Sequence, residues 1–141
     1  MDQDYLSFWE HHSDNFLTMA FETNRCGRIE HPDGYGKCSR KCGDTLEIFL
    51  NSHNGLISSA YFDTEGCLYT VACANTVVSM VEGKPVEEAW HILPRHIFDY
   101  LETLPEAEMH CAELAVQALH AALLDLSKTE RLPSVQFCTK G

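Results

Sequence analysis

The sequence has few basic residues and no long apolar run. In 141 residues, lysine and arginine number 10 against 21 aspartates and glutamates, which gives a formal net charge of -11. A general nucleic-acid-binding protein carries a basic excess, so the charge argues against this class. No segment approaches the roughly 18 uninterrupted apolar residues of a membrane span. With 45% hydrophobic residues, the composition predicts a globular protein of one domain that binds neither nucleic acid nor membrane.

The first residues do not resemble a secretory signal. A signal peptide begins with basic residues and continues with an apolar stretch, whereas the first residues are Met1-Asp2-Gln3-Asp4. The seven cysteines are an odd number, so complete internal pairing is impossible. We therefore expect a cytoplasmic protein with reduced thiols, because disulfides are rare in that compartment. Reduced cysteines in this number indicate inert buried thiols, a metal site or redox chemistry.

Hydrophobic spacing predicts both strands and helices. Thr45–Leu50 and Leu56–Thr64 flank a turn signal, Asn51-Ser52-His53-Asn54-Gly55, and form an antiparallel hairpin. A short strand is possible near residues 26–30. Residues 24–44, rich in glycine and cations, are expected to form a loop. Helical spacing predicts helices over residues 5–19, 67–81, 85–91 and 94–102, and a last helix with an apolar stripe from Cys111 to Leu126.

Three cysteines lie where these elements begin or end. The hairpin runs away from Cys42 and returns to Cys67, so both residues are expected at one end of the sheet. Asp44 points the same way as Cys42, because side chains alternate along an extended segment. Gly43 between them leaves room for a bulky ligand. Cys111 lies near the start of the last helix, beside His110.

These residue types suit a soft metal or an iron–sulfur cluster. Three thiolates with one carboxylate or imidazole bind a soft metal less tightly than four thiolates. A set that mixes thiolates with an oxygen or nitrogen ligand suits a cluster that must be transferred to another protein. Many zinc sites have such mixed ligands as well. The residues alone therefore leave a cluster site and a zinc site open.

The role of His110 depends on where the last helix starts. If the helix begins at Pro105, His110 and Cys111 are adjacent helical residues whose side chains point about 100° apart. If it begins at His110, Cys111 gains the positive helix end, which favours its thiolate. Of the remaining thiols, Cys73 is expected in the core, Cys38 is a possible accessory thiol, and Cys26 and Cys138 are taken as incidental.

The chain resembles the IscU/NifU-type scaffolds for iron–sulfur cluster assembly, over about residues 24–127. The matching segments are Cys42-Gly43-Asp44, Gly66-Cys67, Glu82-Gly83-Lys84, Glu87-Glu88-Ala89, Leu104-Pro105 and His110-Cys111. The resemblance implies an α+β fold with a small antiparallel sheet packed against several helices. It divides the chain into an N-terminal helix and linker (1–23), the scaffold domain (24–127) and a C-terminal tail (128–141).

The resemblance also implies a function and partners. Such scaffolds are not enzymes; they assemble a [2Fe–2S] cluster from iron and from the sulfur of a cysteine desulfurase, and transfer it to acceptor apoproteins. Cys42, Cys67 and Cys111 would be ligands, with Asp44 and His110 competing for the fourth position or assisting release. The family's Leu-Pro-Pro-Val-Lys motif, read by a specialised Hsp70-type chaperone, is replaced here by Leu104-Pro105-Glu106-Ala107-Glu108. We therefore do not expect that chaperone to dock.

Two other functions remain open from the sequence. The same ligands could form a structural zinc site in a protein-interaction domain, and zinc is possible in the isolated protein in any case. Cys111 could also be the nucleophile of a thiol enzyme with a histidine as its base. Adjacent His110 is poorly placed for that role if both residues are helical.

Overall fold

The computed structural model of the chain describes residues 12–40 and 43–140, with side chains described up to residue 128. Its elements, in chain order, are α1 (Asp14–Phe21), β1 (Gly34–Ser39), β2 (Thr45–His53), β3 (Leu56–Thr64), α2 (Leu68–Val81), α3 (Val86–Ala89), α4 (Pro94–Leu101), a 3-10 turn (Glu106–Glu108) and α5 (Met109–Lys140). The α+β class and the long last helix agree with the sequence prediction.

The three strands form one antiparallel sheet in the order β1-β2-β3. The hairpin of β2 and β3 is confirmed, but the first strand is not at residues 26–30. Only an isolated bridge between Cys26 and Phe62 occurs there, while Gly34–Ser39 pairs along its whole length with β2. The segment that we expected to be a loop therefore contributes an edge strand.

Glycines in β1 allow the last helix to lie directly against the strand. A Cβ atom added at Gly36 would lie 2.3 Å from the backbone nitrogen of Ala122 and 2.5 Å from the carbonyl oxygen of Ala118. These are backbone atoms of α5, which no side-chain rotation can move away. The glycines that resemble turn signals in the sequence thus serve a close contact between helix and strand.

A bulge in the hairpin places Ile57 on the buried face of the sheet, against strict alternation. Alternation predicts that Ile57 faces away from Ala60 and Phe62, yet all three residues are fully buried. The register shifts between Asn51 and Ser52, because Asn51 pairs with Ser59 and Ser52 pairs with Ile57. One extra residue on β3 reverses the alternation, as a β-bulge does.

The core lies between one face of the sheet and the helices. Helix α5 packs against β1 and β2, α2 packs against β3 and α5, and α1 packs against α2. The largest fully buried side chains are Phe16, Leu46, Ile48, Leu50, Ile57, Phe62, Ile97, Leu101, Leu114, Leu119, Leu123 and Leu126. Burial of this much apolar surface supplies the main driving force for folding.

The ends of two helices differ from the sequence prediction. Residues 1–11, which carry the first part of the predicted first helix, lie outside the described residues. Helix α1 begins after Ser13, whose hydroxyl accepts a hydrogen bond from the Phe16 N–H. Helix α5 continues to Lys140, into the segment assigned to a tail. The domain boundaries themselves stay predictions. Within the part of the chain that the structure describes, no helix is long and apolar enough to span a membrane.

Candidate metal centre

The candidate ligands lie where three elements begin, at one end of the sheet. Asp44 directly precedes β2, and Cys67 is the N-cap residue of α2, with no side-chain capping bond of its own. His110 and Cys111 lie in the first turn of α5, which begins at Met109. Both helices direct their positive N-terminal ends toward this region, which favours anionic ligands.

Two sets of potential ligand atoms share the sulfur of Cys111. The atoms of Asp44, His110 and Cys111 lie within 4.8 Å of one another, and so do those of Cys67, Glu108 and Cys111. Two atoms bonded to one metal ion at about 2.0–2.3 Å lie at most about 4.6 Å apart, so these atoms need only a small adjustment to share an ion. The structure therefore brings together four of the predicted ligands and adds a fifth candidate, Glu108. The four are Asp44, Cys67, His110 and Cys111.

The hydroxyl of Thr70 lies at the centre of the site. Its Oγ1 is 3.3 Å from Asp44 Oδ2, 3.4 Å from Cys111 Sγ and 3.6 Å from Cys67 Sγ. Thr70 is fully buried, and a Cβ atom at Gly66 would lie only 2.8 Å from its Cβ atom. The glycine before Cys67 thus leaves the space in which this hydroxyl reaches three candidate ligands.

The two described thiols of the site differ in exposure and in protonation. Cys67 is exposed, whereas Cys111 is buried. Burial raises the pKa of the Cys111 thiol to about 12; the hydrogen bond from Thr70 lowers that pKa, and the neighbouring Cys67 and Glu108 raise it. Cys111 is therefore a neutral thiol at neutral pH in the metal-free protein, and it must lose its proton to bind a metal.

The structure places the other cysteines as follows. Cys42 and the side chain of Cys138 lie outside the described residues. Cys38 is half-buried on β1, where its thiol lies 3.2 Å from Gln117 Oε1. Cys73 is fully buried in the core, as expected, and burial raises its pKa. Cys26 is exposed.

His110 does not form a nucleophile–base pair with Cys111 in the described structure. Its Nδ1 atom lies 3.2 Å from the carbonyl oxygen of Ala107, and its Nε2 atom lies 3.7 Å from Glu108 Oε1. The Cys111 thiol instead contacts Thr70 and Glu108. A buried thiol with a raised pKa and no imidazole base is a poor nucleophile, so nothing in the geometry favours the thiol-enzyme hypothesis.

Sequence reasoning missed Thr70 and Glu108. Thr70 lies three residues after Cys67, so its place in the first turn of α2 could have indicated a side chain near that thiol. Glu108 lies three residues before Cys111, but the predicted helix start was uncertain there. In the structure the 3-10 turn continues directly into α5, and this continuity places Glu108 beside Cys111.

Replacing Thr70 by valine is expected to weaken metal binding by roughly tenfold. The change keeps the side-chain shape but removes the hydroxyl that orients Asp44 and Cys111, and losses of this kind cost about 10–100-fold in metal affinity. Competition with a chromophoric zinc chelator measures the change. Thr76→Val is the matched control, because Thr76 is a fully buried threonine of the same helix whose hydroxyl donates to the carbonyl oxygen of Ala72. Equal affinities for both variants would contradict a role for Thr70.

The fold and the site together define an α+β domain with a candidate thiolate–carboxylate metal centre. Residues 12–132 match the family model of the NifU-like N terminal domain. The chain belongs to this family, which confirms the resemblance drawn from its sequence.

Relatives and solved structures agree with this assignment. The chain is 31% identical over 117 residues to the iron-sulfur cluster assembly scaffold protein IscU of Aquifex aeolicus, covering 81% of this chain and 74% of that protein. It is 34% identical over 124 residues to the nitrogen fixation protein NifU of Nostoc sp., covering 82% of this chain and 41% of that protein. The crystal structure of a SufU-type scaffold from Fervidobacterium islandicum aligns with a TM-score of 0.66 at 17% identity, covering 81% and 97% of the two chains. This last likeness concerns the fold.

Proposed function

We propose that this chain is a scaffold on which a [2Fe–2S] cluster is built from ferrous iron and from sulfur supplied by a cysteine desulfurase. The finished cluster passes to acceptor apoproteins, and the chain itself is not an enzyme. One observation carries the proposal: Asp44, Cys67, His110 and Cys111 meet at one end of the sheet in a member of a family whose relatives are named as cluster scaffolds.

We include Cys42 among the ligands because of its covalent position. It lies two residues before Asp44, and two residues of extended chain span at most about 7 Å. The N–H of Gly43 donates to the carbonyl oxygen of Arg40, and the N–H of Arg40 donates to that of Asp44. These two hydrogen bonds hold Arg40 and Gly43, the residues on either side of 41–42, close to Asp44.

The donor set suits a cargo that is held and then released. Thiolates bind iron–sulfur clusters strongly, while carboxylate oxygen and imidazole nitrogen are harder donors that compete less well for a soft centre. With Cys42, Cys67 and Cys111 on the cluster, Asp44 and His110 compete for the remaining position. Cys67, the exposed thiol, is accessible to incoming iron and sulfur.

Anaerobic reconstitution tests the proposed function. The purified protein is incubated with ferrous iron, a cysteine desulfurase and cysteine, and absorption spectra and iron and sulfide contents are measured. We expect a cluster chromophore with equal amounts of iron and sulfide. Tight zinc binding with no chromophore would instead support a zinc-binding domain.

Replacing Asp44 by alanine is expected to give a longer-lived cluster that transfers several-fold more slowly. The carboxylate supplies an oxygen that can displace a thiolate from iron, and its removal leaves the thiolates without that competitor. Transfer to an apo-ferredoxin, followed by circular dichroism, measures the rate. Glu65→Ala, which removes an exposed carboxylate from the segment after β3, is the control. Faster transfer from the Asp44→Ala variant would contradict the assigned role.

The alternative function is a structural zinc-binding domain for protein interaction. Cys67, Cys111 and a carboxylate are suitable zinc ligands, so the donor atoms fit this alternative as well. The two functions differ in what holds the fold together, because structural zinc sites supply folding energy directly.

Removing metal is expected to leave the fold intact. The buried core between the sheet and the helices includes Phe16, Phe62 and Leu119, and the candidate ligand Cys111 lies at its edge by the start of the last helix. The apolar contacts of this core need no metal. Far-ultraviolet circular dichroism and thermal unfolding after dialysis against a chelator measure this. Loss of helical signal on chelation would favour the zinc domain.

The remaining partners follow from the scaffold function and stay predictions. We expect a desulfurase and acceptor apoproteins to dock near Cys67, and we expect no Hsp70-type chaperone to read the acidic Glu106-Ala107-Glu108 segment. The cytoplasmic location and the absence of nucleic-acid or membrane binding are expectations from the sequence.

A further inference from the structure

Glu108 faces the thiols and the His110 imidazole of the site rather than a lysine or arginine. Its Oε1 atom accepts a hydrogen bond from the Cys111 thiol at 3.8 Å and lies 3.7 Å from His110 Nε2. Among the residues that the structure describes, no lysine or arginine forms a salt bridge with this carboxylate. Its side chain is 28% exposed, so it is largely withdrawn from water without a permanent cation to compensate it.

A divalent metal ion would supply that compensating charge. Partly burying a carboxylate costs free energy unless a cation or good hydrogen-bond donors satisfy it, and a thiol is a weak donor. The potential ligand atoms of Cys67, Glu108 and Cys111 all lie within 4.8 Å of one another. Two sulfurs and one carboxylate oxygen form the mixed donor set that Fe²⁺ or Zn²⁺ accepts.

We propose that Glu108 is a metal ligand of this protein: its carboxylate, with Cys67 and Cys111, takes up the incoming divalent ion. The inference rests on the metal-binding function proposed above and assigns a residue that the predicted ligand set omitted. Binding forms two metal–sulfur bonds and one metal–oxygen bond, the two thiols release their protons to solvent, and no electron is transferred.

The Cys111 sulfur belongs to both sets of potential ligand atoms, so the two sets compete for one metal ion. Asp44 and His110 form the other set around the same sulfur, so an ion held by Cys67, Glu108 and Cys111 leaves Asp44 and His110 available. Glu108 then competes with these two residues for the metal once it is bound. Among the described residues the site then has three non-thiol donors rather than two, and Glu108 shares its set with exposed Cys67.

Cobalt titration under anaerobic conditions tests the assignment. Co²⁺ reports thiolate ligands through charge-transfer bands in the near ultraviolet and coordination geometry through d–d bands in the visible. We expect Glu108→Gln to lower Co²⁺ affinity by at least about tenfold, the loss typical of a disturbed metal shell, and to shift the d–d bands. Glu106→Gln is the matched control, because it makes the same charge change at an exposed position of the same 3-10 turn.

The outcomes separate this inference from the proposed function. If Glu108→Gln binds Co²⁺ like the wild type while Cys67→Ser shows a weaker charge-transfer band, Glu108 is not a ligand and the metal-binding function stands. Equal losses in Glu108→Gln and Glu106→Gln, with unshifted d–d bands, would show a general charge effect and overturn the assignment. Failure of the wild-type protein to give any thiolate charge-transfer band would overturn the proposed function itself. Thermal unfolding of each variant verifies that the fold is intact.

Discussion

Replacing Cys42, Cys67 and Cys111 together by serine is expected to abolish cluster assembly. A serine hydroxyl has a pKa far above that of a thiol and is a much weaker ligand for iron in a cluster. The loss should be complete, because the remaining Asp44, Glu108 and His110 offer only oxygen and nitrogen atoms. Anaerobic reconstitution with ferrous iron and a desulfurase, followed by absorption and by iron and sulfide analysis, measures the result.

The matched control keeps the three predicted ligands and removes three other thiols. The variant Cys26→Ser, Cys38→Ser, Cys73→Ala removes an exposed, a half-buried and a buried cysteine. We expect it to assemble the cluster, since none of these three is among the candidate ligand sets. An undiminished chromophore in the ligand variant, or its loss only in the control variant, would show that the cluster is held elsewhere.

Much of the site could be predicted because local geometry determines it. A hairpin returns its chain to the end at which it began, so the order Asp44, β2, β3, Cys67 places both residues at one end of the sheet. The start of the last helix then brings Cys111 to the same end. Alternation along the strand and the turn signal at residues 51–55 were sufficient to place Asp44 and Cys67 together, whereas Cys111 was joined to them by the family resemblance.

Strand β1 was missed because its glycines are needed for contact with α5, a helix distant along the chain. Gly34 and Gly36 lie under Ala122 and Leu126 of α5, where only glycine leaves room for the backbone of the helix. Small residues at these positions leave β1 without an apolar alternation and make it resemble a loop. A single sequence contains no signal that distinguishes this use of glycine from a turn.

The centre of the site was missed for a related reason. Thr70 resembles an ordinary helix residue in the sequence, and its role arises only because Asp44 and Cys111, distant along the chain, pack against the first turn of α2. Glu108 became a candidate only when the 3-10 turn set its direction relative to Cys111. Residues that carry recognisable motifs could be predicted, whereas those that connect them could not.

Metal affinity is expected to rise steeply with pH, by about 100-fold or more between pH 6 and pH 8. A metal binds the thiolate, and burial, opposed in part by Thr70, raises the pKa of the Cys111 thiol to about 12. The proton is therefore present throughout this range and must leave when the metal binds. Each proton released gives about a tenfold gain in apparent affinity per pH unit below the pKa. An ordinary thiol would stop contributing near its pKa of about 8.5, but Cys111 continues to contribute above that pH.

Zinc competition with a chelator of known pH dependence, repeated at each pH, measures this slope. Cys111→Ser is the informative variant, because it removes the thiol whose proton must be released and should lower the slope by about one power of ten per pH unit. Cys73→Ala is the control: its thiol also has a raised pKa, but it lies in the core and outside both ligand sets. Metal affinity falls as the pH falls because the pKa of the Cys111 thiol is raised. A proton held more firmly in the metal-free protein opposes metal binding more strongly at low pH. Affinity that is independent of pH, or a slope unchanged in Cys111→Ser, would show that this buried sulfur does not bind the metal.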